Sequence, residues 1–326
     1  MKLRLIIRVV LLVAISFCAG AQERAGQPPV AAQKAPVKFP VIDVHFHAPL
    51  EPGSVESFAP EFNRYLAAMD SLNVRMAVLN GVPDVLYDWE ARAPKRLIPA
   101  LLFPCENGIA TNWGRPCFAN GKEFPDIDWL RSEVKAGRIK ALGEITAQYM
   151  GIAPDDSRLE PYFALAEEFD IPVFIHMGLG PPNAAYESSP VKVKSPHFSA
   201  AAGNPLRLEP VLERHRKLRI AVMHAGWPYW EEMTLMLHLN PNLYVDVGVL
   251  QSAIPRAAYY SYLREIVEAG YSSRIMFGTD GSPKQIQEGI EAITGADFLK
   301  PQQKRDILCG NAAHFLQLPP STCGIP

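Results

Sequence analysis

From Val41 onward the chain alternates short apolar or β-branched runs with longer stretches of helical spacing, and it does so eight times. The runs are Val41–His45, Arg75–Leu79, Leu97–Phe103, Lys140–Ile145, Pro172–His176, Arg219–His224, Leu243–Val247 and Arg274–Gly278. Between them lie the helix candidates Glu61–Leu72, Asp128–Ala136, Glu160–Phe169, Leu206–Arg216, Trp230–Leu239 and Tyr259–Ala269, and Gln302–Leu316 reads as a last helix closing the domain. This alternation is the pattern of βα units around a parallel sheet. Several runs are apolar throughout, as strands buried on both faces require. Eight units in one domain match the α/β fold of a TIM (β/α)8 barrel over residues 39–320. A doubly wound open sheet has fewer strands and wants a nucleotide-binding turn. The nearest candidate, Gly178-Leu179-Gly180, runs into Pro181-Pro182 without a third glycine, and the chain has neither a P-loop nor a G-x-S-x-G elbow.

The ends of the chain read differently. Lys2, Arg4 and Arg8 precede an apolar stretch that runs to Phe17, and Ala19-Gly20-Ala21 has the small-x-small form of a cleavage site. Residues 1–21 are expected to be a removed signal peptide, because the apolar stretch is far short of the roughly 20 residues that span a bilayer. Residues 22–38 read as a flexible leader and 321–326 as an irregular tail. The expectation is export, periplasmic or secreted, with no stable membrane insertion after cleavage. Without residues 1–21 the chain keeps 29 of its 32 Lys and Arg against 34 Asp and Glu, a balance of −5, the wrong sign for a nucleic-acid partner. Association into a homo-oligomer is left open. Four cysteines remain, Cys105, Cys117, Cys309 and Cys323, which in an oxidising compartment allow two bridges in three pairings. The two sequence-local pairs are favoured, with four separate buried thiols as the alternative.

In a TIM barrel the reacting groups sit at the C-terminal ends of the strands. Read there, the first run ends in Asp43-Val44-His45-Phe46-His47, and strand alternation points His45 and His47 to one side, where two imidazoles can share a cation. The fifth run ends at His176, the sixth at His224, and Asp280 follows the eighth in Phe277-Gly278-Thr279-Asp280. Four of the eight histidines therefore fall at strand ends. Glu144, in Leu142-Gly143-Glu144-Ile145 of the fourth run, is a carboxylate among apolar neighbours that is costly to bury without a cation or donor. Its alternative is a carboxylate paired with an arginine or capping a helix. Asp43 reads as a group orienting a ligand imidazole or the strand end. His215, His238 and His314 fall within helix patterns, and His197 in the loop after the fifth run.

Together, Ile42-Asp43-Val44-His45-Phe46-His47, Gly143-Glu144-Ile145, Val173-Phe174-Ile175-His176, Val222-Met223-His224-Ala225-Gly226, Met276-Phe277-Gly278-Thr279-Asp280 and Gly310-Asn311-Ala312-Ala313 resemble the amidohydrolase superfamily. The resemblance is to its amidohydrolase-related branch, which includes aminocarboxymuconate-semialdehyde decarboxylase-like enzymes, and it spans about residues 40–317. It implies a divalent metal, most commonly zinc, held by His45, His47, His176 and Asp280, with His224 orienting substrate or polarising a reacting carbonyl. Two ions would require Glu144 as a ligand, because Lys140 lies at the start of its run. Such a metal lowers the pKa of bound water from about 16 toward about 7. Asp280 would then accept a proton as general base and return it as general acid.

Two long loops leave C-terminal strand ends, Pro104–Phe124 and Gly178–Pro205, and such loops set substrate choice. Trp113, Trp227 and, for a substrate carboxylate, Arg256 are the candidate substrate contacts, with ordinary packing as their alternative. The expected function is hydrolysis of a C–N or C–O bond of a small molecule, an amide, ester or lactone. The rival is metal-dependent decarboxylation or hydration of a small carboxylic acid, which the resembling branch supports with nearly the same ligands. A solute-binding barrel without turnover is disfavoured by the presence of both His224 and Asp280.

Overall fold

The first half of each unit is a strand, and the eight strands lie side by side in sequence order, all parallel: β1 Val41–His47, β2 Val74–Gly81, β3 Leu97–Phe103, β4 Ala141–Ile145, β5 Val173–His176, β6 Ile220–Met223, β7 Leu243–Asp246 and β8 Ile275–Met276. These positions come from a computed structural model that describes residues 39–48, 58–105, 116–186 and 195–324. Backbone bonds from Val44 N to the Phe277 carbonyl (3.0 Å) and from Asp280 N to the His45 carbonyl (2.7 Å) join the last strand to the first. The sheet thereby closes, and the expected TIM barrel is what forms. The expected signal peptide and leader, residues 1–21 and 22–38, lie outside the described residues. No helix among the described residues is long and apolar enough to cross a membrane.

The helices are α1 Ala59–Ser71, α2 Pro83–Arg92, α3 Ile127–Lys135, α4 Glu160–Glu168, α5 Glu209–Arg214, α6 Trp230–Leu239, α7 Leu250–Ala253, α8 Arg256–Glu268, α9 Pro283–Thr294, α10 Pro301–Arg305 and α11 Asn311–Phe315. Two apolar clusters result. One, built from outward strand residues such as Val41, Leu79 and Ile145, fills the layer between sheet and helices. The other lies inside the barrel, where Ile42, Val44, Ala100, Phe174, Ala221, Met223 and Met276 pack with Ala312, Ala313 and Phe315 of α11.

Several boundaries differ from the sequence reading. Helices α2 and α9 were not anticipated, although Ser282-Pro283 with Gln285 forms a capping box at the start of α9, where Ser282 N donates to Gln285 Oε1 at 2.7 Å. The stretch Leu206–Arg216 is a 3-10 turn at Pro205–Leu208 followed by the short α5. Strand β8 holds only two residues, because Phe277 N turns to the Ile307 carbonyl at 2.9 Å. The last helix is interrupted by a π turn at Asp306–Gly310. The tail carries a 3-10 turn at Pro320–Cys323, tied back by a bridge from Cys323 to Cys309, and Cys105 pairs with Cys117. Both bridges are the sequence-local pairs.

Candidate metal centre

Strand β1 changes phase where it leaves the apolar interior. Ile42 and Val44 belong to the inner cluster, then a register shift between Asp43 and Phe46 lets His45 and His47 continue on the inner side. Phe46 between them packs on the opposite side against Tyr65, ring centroids 4.4 Å apart and nearly perpendicular. Strand β4 shows the same device. Its pairing with β5 shifts between Leu142 and Ile145, which aims Glu144 at the histidines. Gly143 makes this possible, with φ +150° and no room for a side chain, since a Cβ there would stand 2.6 Å from Phe174 Cβ.

The donors converge tightly. His45 Nε2, His47 Nε2 and Asp280 Oδ1 stand 3.2, 3.3 and 3.2 Å from one another. Glu144 Oε2 lies 3.0 Å from His47 Nε2 and 3.9 Å from His45 Nε2. Four donors at about 2.0–2.2 Å from one tetrahedral ion stand roughly 3.3–3.6 Å apart, so the set fits a divalent cation. Hydrogen bonding alone does not account for it, because one imidazole nitrogen carries at most one proton. His47 Nε2 nevertheless meets two carboxylates and a second imidazole within 3.2 Å.

Glu144 also faces the other way. Its Oε1 lies 2.6 Å from His176 Nδ1 and 3.8 Å from His224 Nε2, and those two nitrogens are 3.0 Å apart. Three overlapping donor groups are therefore present, His45–His47–Glu144, His45–His224–Asp280 and Glu144–His176–His224, and Asp280 also lies 3.2 Å from His47 Nε2. This sorts the residues differently from the sequence reading. His176 groups with His224 and Glu144 rather than with His45 and His47, and Glu144, the uncertain member, is shared between groups, as are His45 and His224.

Surrounding groups hold this arrangement. Asp246, fully buried at the end of β7, places Oδ1 3.2 Å from His45 Nδ1 and accepts from Gly248 N at 2.7 Å. Gly248 leaves the His45 ring its space, since a Cβ there would stand 2.6 Å from Nδ1. Asp246 orients the imidazole, the task the sequence reading offered to Asp43. Asp43 takes the other role read for it, holding the strand end, where it accepts from His45 N at 3.1 Å, and it ties β1 to the β8 turn by accepting from the Thr279 hydroxyl at 2.6 Å and from Thr279 N at 3.1 Å. Tyr65 of α1 donates to the Gly281 carbonyl at 3.0 Å, fixing the residue after Asp280. Asp246 was legible by the strand-end test that found the histidines, whereas nothing in the sequence marked Tyr65.

Electrostatics agrees with the geometry. Burial pushes Glu144 up, yet hydrogen bonds from His176, His224 and His47 hold it well below the usual carboxylate range. Asp280 is likewise depressed, burial being outweighed by His45 and His47. Burial lowers His47, but its bonds to Asp280 and Glu144 carry it up to about 9. His45 is raised by Asp246 and Asp280 against burial. Both carboxylates are thus ionised at neutral pH, and a cation binding here displaces protons from imidazoles.

The substrate-contact expectations fare differently. Arg256 is exposed at the start of α8, its guanidinium over the rings of Tyr259 and Tyr260, 5.9 and 5.5 Å from their centroids, and the structure does not bring it to the centre. Trp227 is half-buried in the turn after β6 and packs against the layer between strands and helices. Trp113 lies outside the described residues.

Among known proteins, the chain is similar to the protein fluG of Emericella nidulans, 26% identical over 36% of this chain but only 16% of that protein. Among the solved structures that share its fold are two enzymes. One is a 4-oxalomesaconate hydratase, LigJ, of Rhodopseudomonas palustris, with 14% identity, TM-score 0.58, and coverage of 85% of this chain and 95% of that one. The other is a dihydroxybenzoic acid decarboxylase of Polaromonas sp. JS666 with bound manganese, with 15% identity, TM-score 0.58, and coverage of 85% and 97%. The Amidohydrolase family, Amidohydro_2, matches residues 42–318, and with its strand-end histidines and carboxylates the chain belongs to that family.

Proposed function

We propose that this chain is a metal-dependent decarboxylase or hydratase of a small carboxylic acid. The observation that carries the metal-centred reading is the convergence of Glu144 and Asp280 on His47 Nε2 within 3.2 Å. Decarboxylation or hydration is favoured over the hydrolysis expected from sequence because the structures of like fold include a decarboxylase and a hydratase. His45, His47 and Asp280 would hold the first ion. Glu144 would share its second oxygen with His176 and His224, a set suited to a second. The imidazole-rich donors suit zinc, and manganese is the competitor given the manganese-bound decarboxylase. Bound there, the ion would act as a Lewis acid that polarises a substrate oxygen.

The remaining work falls to the chain. Asp280, held depressed in pKa and 3.3 Å from His45 Nε2, would take a proton from water or substrate and return it to the reacting carbon. His224, with Nδ1 3.0 Å from the Gly248 carbonyl, is fixed as a donor on that side, leaving Nε2 for the centre. The bridges Cys105–Cys117 and Cys309–Cys323 suit an oxidising compartment and support export.

The test is to load the purified chain with Zn²⁺ or Mn²⁺ and supply hydroxybenzoates, unsaturated dicarboxylates, lactones, esters and amides in parallel. Release of CO2 or a hydrated product, abolished by chelation and restored by metal, is expected. Turnover confined to lactones, esters or amides would overturn this reading in favour of hydrolysis.

A further inference from the structure

One tyrosine stands beside the centre with its ring fixed and its hydroxyl uncommitted. Tyr149 follows β4 in the 3-10 turn Ala147–Met150, five residues beyond Glu144. Its ring centroid lies 4.6 Å from that of His176 and 5.5 Å from that of Phe198, the latter edge to face.

The backbone beneath it is held by neighbouring loops. Gln148, buried, donates from Nε2 to the Gly178 carbonyl at 2.9 Å, and its own carbonyl accepts from Ser199 N at 3.2 Å. Thr146 donates from its hydroxyl to the Pro104 carbonyl at 2.9 Å. Phe198 is pressed onto Gly180 so closely that a Cβ there would stand 2.4 Å from its ring. Loops after β3, β4 and β5 thus lock the turn. Among the described residues no hydrogen bond engages the Tyr149 hydroxyl. A half-buried tyrosine usually finds a partner for its hydroxyl, and a residue serving only to pack on His176 would need no hydroxyl. At neutral pH a phenol is a donor, and an anionic oxygen is its strongest partner.

We propose that Tyr149 is a substrate-contacting residue whose hydroxyl donates a hydrogen bond to an anionic oxygen of a carboxylate bound at the metal centre, while its ring lines one wall of the site. The carboxylate class rests on the proposed function, but the hydroxyl's role as anion donor is read from this tyrosine's own surroundings.

The experiment uses the full chain loaded with Co²⁺, whose visible spectrum reports ligands entering the centre, titrated with benzoate and with 2,6-dihydroxybenzoate. Wild type is expected to bind both saturably. Tyr149→Phe should bind them roughly tenfold or more weakly, the size of a hydrogen bond to a charged group, with an unchanged cobalt spectrum and metal content before the anion is added. Tyr260→Phe, whose hydroxyl donates to the Ala292 carbonyl at 2.8 Å on the outer helices, serves as control and should bind as wild type does. Equal affinity in wild type and Tyr149→Phe would overturn the proposal. Failure of wild type to bind either carboxylate would overturn it too, and the proposed function with it. Binding that depends on Tyr149, without CO2 release or hydration from any acid, would uphold the proposal and remove only the assigned reaction.

Discussion

The same eight strands build two chemically opposite layers inside one barrel. Deeper in the barrel, Ile42, Val44, Phe174, Ala221, Met223 and Met276 pack against α11 in a predominantly apolar plug. One to three residues further along, β1, β4 and β5 present His45, His47, Glu144 and His176, and the turns after β6 and β8 add His224 and Asp280. The lower layer is stabilised by apolar area removed from water. The upper layer buries charge, which costs free energy unless the charges compensate one another or hold a cation. Stability and chemistry are thus stacked along one set of strands, and the phase shifts in β1 and β4 are where one gives way to the other.

Four changes sharpen or break this division, from the largest effect to the smallest. Phe315→Ala removes the ring that closes the lower layer against Phe174 and Tyr244, 5.6 and 5.0 Å away by centroid. It should lower stability by about 3–5 kcal/mol in denaturant unfolding, with metal stoichiometry unchanged in the folded fraction. Loss of metal from that variant would break the separation between layers. Asp246→Asn removes the charge that orients His45. Metal affinity should fall about 10–100-fold in a competition titration against a chelating dye, and an unchanged affinity would assign Asp246 to packing.

Tyr65→Phe deletes one bond to the turn that carries Asp280. It should cost roughly 0.5–1.5 kcal/mol, seen in thermal unfolding and as a metal affinity weakened by a factor of roughly 2–10. The smallest effect lies outside both layers. The Arg138 guanidinium, bonded bidentately to Glu133 at 2.6 Å, holds that carboxyl below its ordinary value of 4.5. A depressed pKa contributes stability that is present above the unfolded value and lost as pH falls through the folded one. The advantage of wild type over Glu133→Gln should therefore shrink as the pH is taken below 4.5, measured by urea unfolding, while metal binding at neutral pH stays the same.

Much of this division was written in the order of residues. Apolar runs ending in His45, His176 or His224 declare a buried strand and a polar terminus in one reading frame, and Asp280 after a glycine completes the set. What stayed hidden depends on distances between elements far apart in sequence. Nothing local ties Glu144 to both histidine groups, because its aim comes from a register shift against β5. Tyr65 reaches Gly281 across 216 positions. Arg256 was read toward the site from its place after β7, but a cationic side chain at a helix start settled on neighbouring aromatic rings instead. The short helix α2 begins at Pro83, and β8 closes the barrel with two residues, too few to show a period.

The central claim is that the upper layer is a cation site built around His45 and His47. Its most direct test is titration of Zn²⁺ and Mn²⁺ into the metal-stripped, purified chain and into His47→Ala, with the fold of each checked by far-UV circular dichroism. The account predicts saturable binding of one or two ions by wild type and loss of the tightest one in a folded His47→Ala. Binding with the same stoichiometry and affinity in both, or no binding by wild type, would contradict it.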